Sequence, residues 1–346
     1  MSIKEDTRKI QFTGKSSYIV SLPKDWVTDN GLKQGDQVSV LRQGSSAIEI
    51  KPNHISKKNI SSAAFEIKSS DKESTVVRKL IAAYFLRYKT INIKPKDGRI
   101  SPSQRTAIRN TVKKILMGAE IIADSSDGIT IQIMINLVEL SIDGAFKRMM
   151  LLAKSMQNDA LLAIKEGNIE LAKEVVDSDD DVDRFGFYII RQLTIAIENS
   201  FMLEEMGFRN AKECLGYRVI VKNIERLADH AVRISRDCID FQKPIKGKAF
   251  IAIQEMSDFA LDVIDKSTLA LFKNDYNLAE ESIQESEKIV DYETKISAIT
   301  KSLRNDEEFF RIRKISDNVK RIAEYASDIG EIVVNMNIEK VIKKAN

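Results

Sequence analysis

Apolar residues recur every three or four positions from residue 136 to the end of the chain, the period of an amphipathic helix. Turn-forming Gly, Asn and Pro residues interrupt this pattern at short intervals. The pattern predicts helices over 136–166, 168–203, 208–241, 248–273, 275–304 and 307–341. Long helices with short connections are typical of antiparallel bundles. We therefore expect two three-helix bundles, one over 135–242 and the other over 243–346.

The beginning of the chain has a different period. Alternating and β-rich runs predict four strands over 8–13, 18–22, 37–41 and 47–50. A short helix starts after Pro23 and stops at Gly31, as expected for a proline start and a glycine stop. So few short strands bury little apolar surface on their own. Residues 1–52 are therefore expected to form a small β domain that dimerises or docks.

The segment between these regions, residues 53–134, predicts a small α+β domain. Its expected elements follow the order β-α-β-α-β-β, which favours one sheet with both helices on the same face. These elements are strands 64–68 and 90–94, helices 71–88 and 102–117, and a hairpin of 120–123 with 129–134. The second helix carries a basic edge of Arg105, Arg109, Lys113 and Lys114. That edge is either an extension of a nucleic-acid surface or an ordinary solvated helix face.

Charge is distributed unevenly along the chain. Residues 1–52 carry 8 Lys/Arg and 6 Asp/Glu, and residues 53–134 carry 15 and 7. The remaining residues carry 31 Lys/Arg and 38 Asp/Glu, so a net charge of +10 precedes one of −7. This split indicates a polyanion-facing part and a cation-facing part, with ordinary fluctuation of charge as the alternative.

Several classes of protein are disfavoured by the sequence. There is no apolar run of the roughly 18 residues that a spanning helix requires, and no apolar signal-peptide core, which predicts a cytoplasmic protein without membrane insertion. The two cysteines form no CxxC pair. Gly14-Lys15-Ser16 lacks the glycine spacing of a phosphate loop, and no nucleophile elbow occurs. We therefore do not expect an enzyme.

The N-terminal order of motifs resembles a known family. A strand, Gly14-Lys15-Ser16, a second strand, Leu22-Pro23-Lys24-Asp25-Trp26, a short helix and then Gly35-Asp36 follow one another. This order resembles the AbrB/SpoVT swapped-hairpin domain. The resemblance implies that two chains interlock their hairpins into one small β-barrel, a homodimer that binds DNA through basic residues. The matching candidates are Arg8, Lys9, Lys15, Lys24 and Arg42. The alternative is a dimerisation module with a solvated basic surface.

Acidic residues stand opposite the apolar stripes of the predicted bundles. Glu225 and Asp229 are four residues apart and lie on one face of helix 208–241. The preceding helix carries Asp179 and Asp183 at the same spacing. The second half repeats the pattern with Glu287, Asp291 and Glu324, although Lys320 replaces one acid. From the residues alone, either a metal ion, a basic side chain such as Arg191, or water neutralises these pairs.

The repeated strings Asn223-Ile224-Glu225-Arg226-Leu227-Ala228-Asp229 and Asn318-Val319-Lys320-Arg321-Ile322-Ala323-Glu324 resemble PhoU, a family of phosphate-uptake regulators. The resemblance implies two tandem three-helix bundles with metal clusters on their surface. It assigns as metal ligands Asp179, Asp183, Glu225 and Asp229 in the first bundle, and Glu287, Asp291 and Glu324 in the second. Clustered carboxylates suit iron, manganese or magnesium, and zinc less well. His230 is interpreted as a packing residue.

These observations predict a multidomain protein with a dimeric swapped-hairpin β-barrel, a small α+β domain and all-α tandem three-helix bundles. The two resemblances together imply a phosphate-responsive regulator. It would bind DNA through the first domain and report phosphate status through the bundles, in contact with a phosphate transporter's ATPase or a sensor kinase. One alternative is an adaptor whose N-terminal domain serves only dimerisation. The least favoured alternative is a dimetal carboxylate enzyme.

Overall fold

The computed structural model describes residues 7–14, 17–43, 47–52, 62–125, 127–134, 140–197, 200–301, 303 and 305–342. Internal contacts divide the chain into two compact units, residues 1–61 and residues 62–346. The domain limits predicted after residues 52, 134 and 242 remain predictions. The predicted fold class is confirmed: a small β-hairpin region, a small sheet region and a mostly helical part follow one another.

The first unit consists of two antiparallel hairpins and one short helix. The hairpins pair β1 (Gln11–Thr13) with β2 (Ser17–Ile19), and β3 (Val38–Gln43) with β4 (Ala47–Pro52). Helix α1 (Lys24–Asp29) lies between them, as its proline start predicted. The rings of Phe12 and Tyr18 pack across the first hairpin, with centroids 5.0 Å apart.

This unit has no apolar core of its own within the residues that are described. None of its described side chains falls in the buried class, and eight large apolar side chains are exposed. These are Ile10, Phe12, Tyr18, Ile19, Val20, Val40, Leu41 and Ile48. Natural monomers rarely expose a dense group of large apolar side chains without covering it.

The second unit begins with a four-stranded sheet. Its strands are β5 (Ser62–Ile67), β6 (Thr90–Pro95), β7 (Ala119–Ser125) and β8 (Gly128–Ile133). The spatial order is β5-β6-β8-β7, with β5 and β6 parallel and the other pairs antiparallel. The predicted order of elements is confirmed.

Both helices of this domain cover one face of the sheet, as predicted. Helix α2 (Glu73–Phe85) and helix α3 (Pro102–Asn110) contribute Leu80 and Ile108 to a core shared with the sheet. Ser101 caps α3 by accepting a hydrogen bond from the Gln104 backbone N–H. The predicted helix 102–117 continues only as a π-helical turn over Thr111–Ile115.

The helical part contains eight helices among the described residues. They are α4 (Ile142–Glu166), α5 (Ile169–Ala196), α6 (Ser200–Glu205), α7 (Ala211–Phe241), α8 (Gly247–Lys273), α9 (Tyr276–Ser286), α10 (Ile289–Thr300) and α11 (Asp306–Asn337). Helices α4, α5 and α7 pack together, and α8, α9, α10 and α11 form a second set. The buried apolar residues of both sets belong to one continuous cluster.

Two of the predicted helices are wrong in their length. Helix 168–203 stops at Ala196, and α6 follows separately. Beyond α6, Phe208 packs edge-to-face on Tyr217 at a centroid distance of 5.2 Å. Helix 275–304 is interrupted at Glu287 and Lys288. Both Ala279 before this break and Ile289 after it are buried. The start predicted at residue 136 lies partly outside the described residues.

The sheet domain docks on the first bundle through α5. Arg191 is buried, donates hydrogen bonds to the carbonyl oxygens of Tyr84 and Tyr88, and stacks its guanidinium 4.7 Å from the Tyr84 ring centroid. Lys114 adds an ion pair with Asp180 at 3.0 Å. The sheet domain and the bundle are therefore joined by specific polar contacts as well as by packing.

The two bundles meet where α7 packs against α11. Asp237 of α7 is buried, and its Oδ2 atom accepts a hydrogen bond from Nε of Arg311 at 3.0 Å. The Arg311 side chain is 3% exposed and its guanidinium lies over the Phe241 ring. Within the described part of the chain, no helix is both long and apolar enough to cross a membrane.

Replacing Asp237 by Ala is expected to lower the free energy of unfolding by about 3–5 kcal/mol, because Arg311 would stay buried without its counter-charge. Urea denaturation followed by circular dichroism measures this change. Asp240→Ala, at an exposed position of the same helix, is the control and should cost less than about 0.5 kcal/mol. An equally small loss for Asp237→Ala would show that the ion pair does not hold the junction.

Candidate metal centre

Four of the predicted ligands lie on two neighbouring helices of the first bundle. Asp179 and Asp183 are on α5, and Glu225 and Asp229 are on α7. Each pair is spaced by four residues, which places its two carboxylates one turn apart on one helix face. The apolar residues of α7 point to the core and leave this polar face against α5.

The two carboxyl groups of α5 are partly withdrawn from water. Burial, followed by the charges of Asp229, Asp180 and Glu225, raises the pKa of Asp179 to about 6. Burial, followed by the charges of Glu225 and Asp179, raises the pKa of Asp183 to about 7. Burial is the larger cause of both shifts, and the acids of α7 add to it because like charges disfavour the ionised form. The fold therefore places the four predicted carboxylates on two neighbouring helices, and their role as metal ligands stays a prediction.

Compensation by basic side chains is incomplete. The Lys222 ammonium lies 2.6 Å from one Glu225 carboxylate oxygen. Asp229 is exposed. Among the residues that are described, no ion pair within 4.0 Å involves Asp179, Asp183 or Asp229. The acids thus keep most of their mutual repulsion.

The chemistry of this cluster fits a hard cation. All four groups offer carboxylate oxygens, the ligands that magnesium, manganese and iron accept, and a bound cation would offset the repulsion that adds to burial in raising both pKa values. The side chains do not already converge: no group of three or more His, Cys, Asp or Glu in the described regions is arranged to hold an ion. A metal would therefore require rotation of these side chains and release of Glu225 from Lys222.

The second repeat is arranged differently. Glu287 directly follows the end of α9 and Asp291 lies in the first turn of α10, so the two acids are not on one continuous helix, and both are exposed. Glu324 pairs with Arg321 at 2.6 Å. Lys320, which occupies the position of an acid in the repeat, pairs with Glu293 at 2.8 Å. In the second bundle, the Lys320–Glu293 ion pair therefore replaces the two facing acids of the first bundle.

His230 is a packing residue, as interpreted from the sequence. It is 5% exposed, and its Nδ1 atom lies 2.7 Å from the Asn318 Oδ1 atom. Its Nε2 atom lies 3.0 Å from the Tyr325 hydroxyl. Burial lowers the pKa of His230, with the nearby Arg233 and Arg321 acting in the same direction. The ring joins α7 to α11 and both nitrogens are engaged.

Two contacts of this region were not anticipated from the sequence. Arg191, considered as a partner for Glu225 and Asp229, instead binds carbonyl groups of the sheet domain. Lys114, placed on a basic edge, pairs with Asp180 beside the cluster. The sequence signal that could have predicted burial of Arg191 is its position within an apolar run of its helix. The basic edge is also partly neutralised at Arg105 and Arg109, which both bind Asp124.

The predicted DNA contacts lie in the first unit. Arg8 and Lys9 precede β1, Lys24 begins α1 and Arg42 is on β3. All four side chains are exposed. Lys15 lies outside the described residues. These positions are accessible to a polyanion, and their role in DNA binding stays a prediction.

Comparison with family models gives two matches. The PhoU domain matches residues 146–238 and again residues 253–333, together half of the chain. The model described as "Antidote-toxin recognition MazE, bacterial antitoxin" matches residues 11–58. Both resemblances noted in the sequence are thereby confirmed at the level of the family.

Two curated relatives are similar in sequence. Both are named phosphate-specific transport system accessory protein PhoU homolog. The protein of Aquifex aeolicus is 25% identical over 142 residues, which are 41% of this chain and 62% of that protein. The protein of Borreliella burgdorferi is 24% identical over 203 residues, which are 53% of this chain and 86% of that protein. The chain thus spans less than two thirds of the length of the first relative.

Solved structures show a similar fold. The PhoU crystal structure from Pseudomonas aeruginosa has a TM-score of 0.50 at 16% identity, covering 57% of this chain and 96% of that one. The phosphate transport system regulatory protein PhoU from Streptococcus pneumoniae has a TM-score of 0.49 at 17% identity, covering 59% and 96%. The first of these similarities establishes the helical-bundle fold.

Stability of the metal-free protein should depend on pH through Asp183. Its pKa is raised on folding to about 7, so folding loses stability as the pH rises from about 4 to about 7 and the carboxyl must ionise against its neighbours. Asp183→Asn cannot ionise. With chelator at about pH 8, we expect this variant to be more stable than the unmodified protein. Its free energy of unfolding should be larger by about 1–2 kcal/mol, after allowance for solvent screening.

At about pH 4 the advantage of Asp183→Asn should shrink to about 0.4 kcal/mol or less, because the carboxyl is then neutral in the folded chain and only about half ionised in the unfolded chain. Urea titrations at the two pH values measure the difference. Asp262→Asn, at an exposed position of α8, is the matched control. An advantage of Asp183→Asn that is the same at both pH values would refute electrostatic strain in the cluster.

Proposed function

The chain belongs to the PhoU family, and on that premise we propose that it is a phosphate-responsive regulator that also binds DNA. The helical part would report phosphate status, and the N-terminal MazE/AbrB-like domain would convert that report into control of transcription. The observation that carries the proposal is the presence of both kinds of domain on one chain. The result would be negative regulation of phosphate uptake by a cytoplasmic protein.

Support for a role in phosphate uptake comes from the relatives. Both curated proteins are named as accessory proteins of a phosphate-specific transport system. By this relationship, the partner of the helical part would be the ATPase of a phosphate transporter or a sensor kinase. Regulatory or accessory function accounts for the family resemblance without catalysis, and we propose no enzymatic activity.

A metal ion is proposed as the cofactor of the first bundle. Asp179, Asp183, Glu225 and Asp229 would hold iron, manganese, magnesium or zinc, the carboxylate-only donor set favouring the first three. The bound ion would supply the positive charge that these acids lack. By neutralising both pairs it would tie α5 to α7. The second bundle, where Lys320 pairs with Glu293, is proposed to remain without metal.

The first unit is proposed to form a homodimer. Its exposed apolar side chains and its lack of a described core support an interlocked arrangement with a second copy. DNA would then meet two sets of the basic side chains already named, one from each chain. A second candidate function, an adaptor of a phosphate transporter whose first unit serves only dimerisation, is favoured by the same exposed apolar side chains.

Elemental analysis of protein purified without chelators tests the metal proposal. Glu225→Ala together with Asp229→Ala should remove most of the bound metal, because half of the carboxylates would be lost. Glu287→Ala together with Asp291→Ala, the corresponding change in the second bundle, is the matched control and should keep the metal content. Equal metal content in the two variants would contradict a metal site at the four carboxylates of the first bundle.

Titration of promoter DNA at several salt concentrations tests the DNA proposal. The logarithm of the binding constant should fall with the logarithm of salt concentration by about 0.9 for each phosphate neutralised. Replacing Arg8, Lys9 and Lys15 by Ala should flatten this slope, whereas Lys273→Ala in the helical part should not change it. Absence of DNA binding at low salt would contradict the proposal of a DNA-binding regulator and would favour the adaptor of a phosphate transporter.

A further inference from the structure

A second charged site lies one turn farther along α7 than Asp229, at the junction of this helix with α11. A cavity of about 300 Å³ opens there and is lined by residues of both helices. Four of the lining side chains are cationic, and one, Asp317, is acidic. The cations are Arg233 of α7 and Arg313, Lys314 and Arg321 of α11. This cavity therefore concentrates positive charge in a part of the chain whose net charge is negative.

Two of these cations have no acidic partner in the described structure. The side chains of Arg233 and Arg313 make neither a hydrogen bond nor an ion pair among the described residues. Lys314 lies 3.9 Å from Asp237, whose charge is already engaged by Arg311. Arg321 is paired with Glu324 at 2.6 Å but remains exposed. Four like charges around one cavity repel each other unless an anion neutralises them.

The floor of the cavity is fixed by hydrogen bonds. The Oδ1 atom of Asn318 accepts a hydrogen bond from the Nδ1–H of His230 at 2.7 Å, and its Nδ2 atom donates to the Lys314 carbonyl oxygen at 2.7 Å. His230 is held in turn by Tyr325. The backbone at Lys314 is therefore fixed by a side-chain hydrogen bond. The contacts of His230 with Asn318 and Tyr325 also join α7 to α11, the two helices that carry the arginine side chains.

We propose that this cavity binds a small phosphorylated anion. Guanidinium groups present planar forks of N–H donors that match phosphoryl oxygens, and several cations suit a ligand with more than one negative charge. The cavity lies between two helices and has a volume of only about 300 Å³, which favours a compact ligand over duplex DNA. The exposed ring of Phe310 at its edge adds an apolar surface, suited to a ligand that carries an organic group beside its phosphate.

Binding in this cavity would act on the junction of the two bundles. Arg233 comes from the first bundle and Arg313 from the second, so a bridging anion stabilises one arrangement of α7 against α11. The site is separate from the carboxylate cluster and needs no metal. Only the link between this ligand and phosphate status rests on the proposed function; the binding itself does not.

Calorimetric titration of the full chain, treated with chelator, tests the proposal with inorganic phosphate, pyrophosphate and ATP as probes. We expect at least one probe to bind. Arg233→Gln together with Arg313→Gln should weaken that binding at least tenfold, because each substitution removes charge-assisted hydrogen bonds from a guanidinium group to the phosphoryl oxygens. The probe that binds most tightly identifies whether free phosphate, a diphosphate or a nucleotide is the ligand.

Arg218→Gln, at an exposed position of α7 away from the cavity, is the matched control and should bind like the unmodified protein. Asp183→Ala should also retain binding, which separates this site from a metal-dependent one. Absence of binding by all three probes at millimolar concentration would overturn the proposal. Equal affinity of the Arg233→Gln, Arg313→Gln variant would overturn it too. Either result leaves the DNA titration and the metal analysis unaffected.

Discussion

The packing of α7 between its neighbours is the constraint on which the rest of the helical part depends. This helix contacts α4, α5 and α11, so apolar residues occupy most of its circumference and most of its exposed charged residues lie on the remaining strip. Within that strip the acids Glu225 and Asp229 face the aspartates of α5, and Arg233 lies at the cavity beside α11. One buried helix thereby gives rise to two oppositely charged sites.

The two bundles show how a repeated sequence can lose or keep a charged site. In the second bundle, Lys320 pairs with Glu293, and the ionised acid gains a partner within hydrogen-bond distance. In the first bundle, Asp179 and Asp183 keep raised pKa values and make the fold less stable near neutral pH. Residual strain of this kind is common at sites that bind a cation, because the ligand relieves it.

The fold was largely predictable because its elements are marked by strong periodicity and by clear stop signals. Gly167 ends α4 with a left-handed backbone, and Pro23 precedes α1. The helix break after Ser286 was not predictable from the local sequence, since Glu287 and Lys288 carry no turn signal. For the site, the spacing of Glu225 and Asp229 indicated one helix face. The contacts of Arg191 with Tyr84 and Tyr88 could not be predicted, because these residues are about 100 positions earlier in the chain and no local pattern specifies the packing of the sheet domain on α5.

The absence of a described core in the first unit has a consequence for the proposed regulation. If folding of this unit depends on a second copy, any change that shifts the monomer–dimer equilibrium also changes how many chains can bind DNA. The helical part could then influence DNA binding without touching the DNA-binding surface, because linkage requires only a shared equilibrium. Metal in the carboxylate cluster or an anion beside Arg233 would act through that equilibrium only if it binds the two association states with different affinity. The dependence of dimerisation on each ligand is therefore the quantity that connects the sites to control.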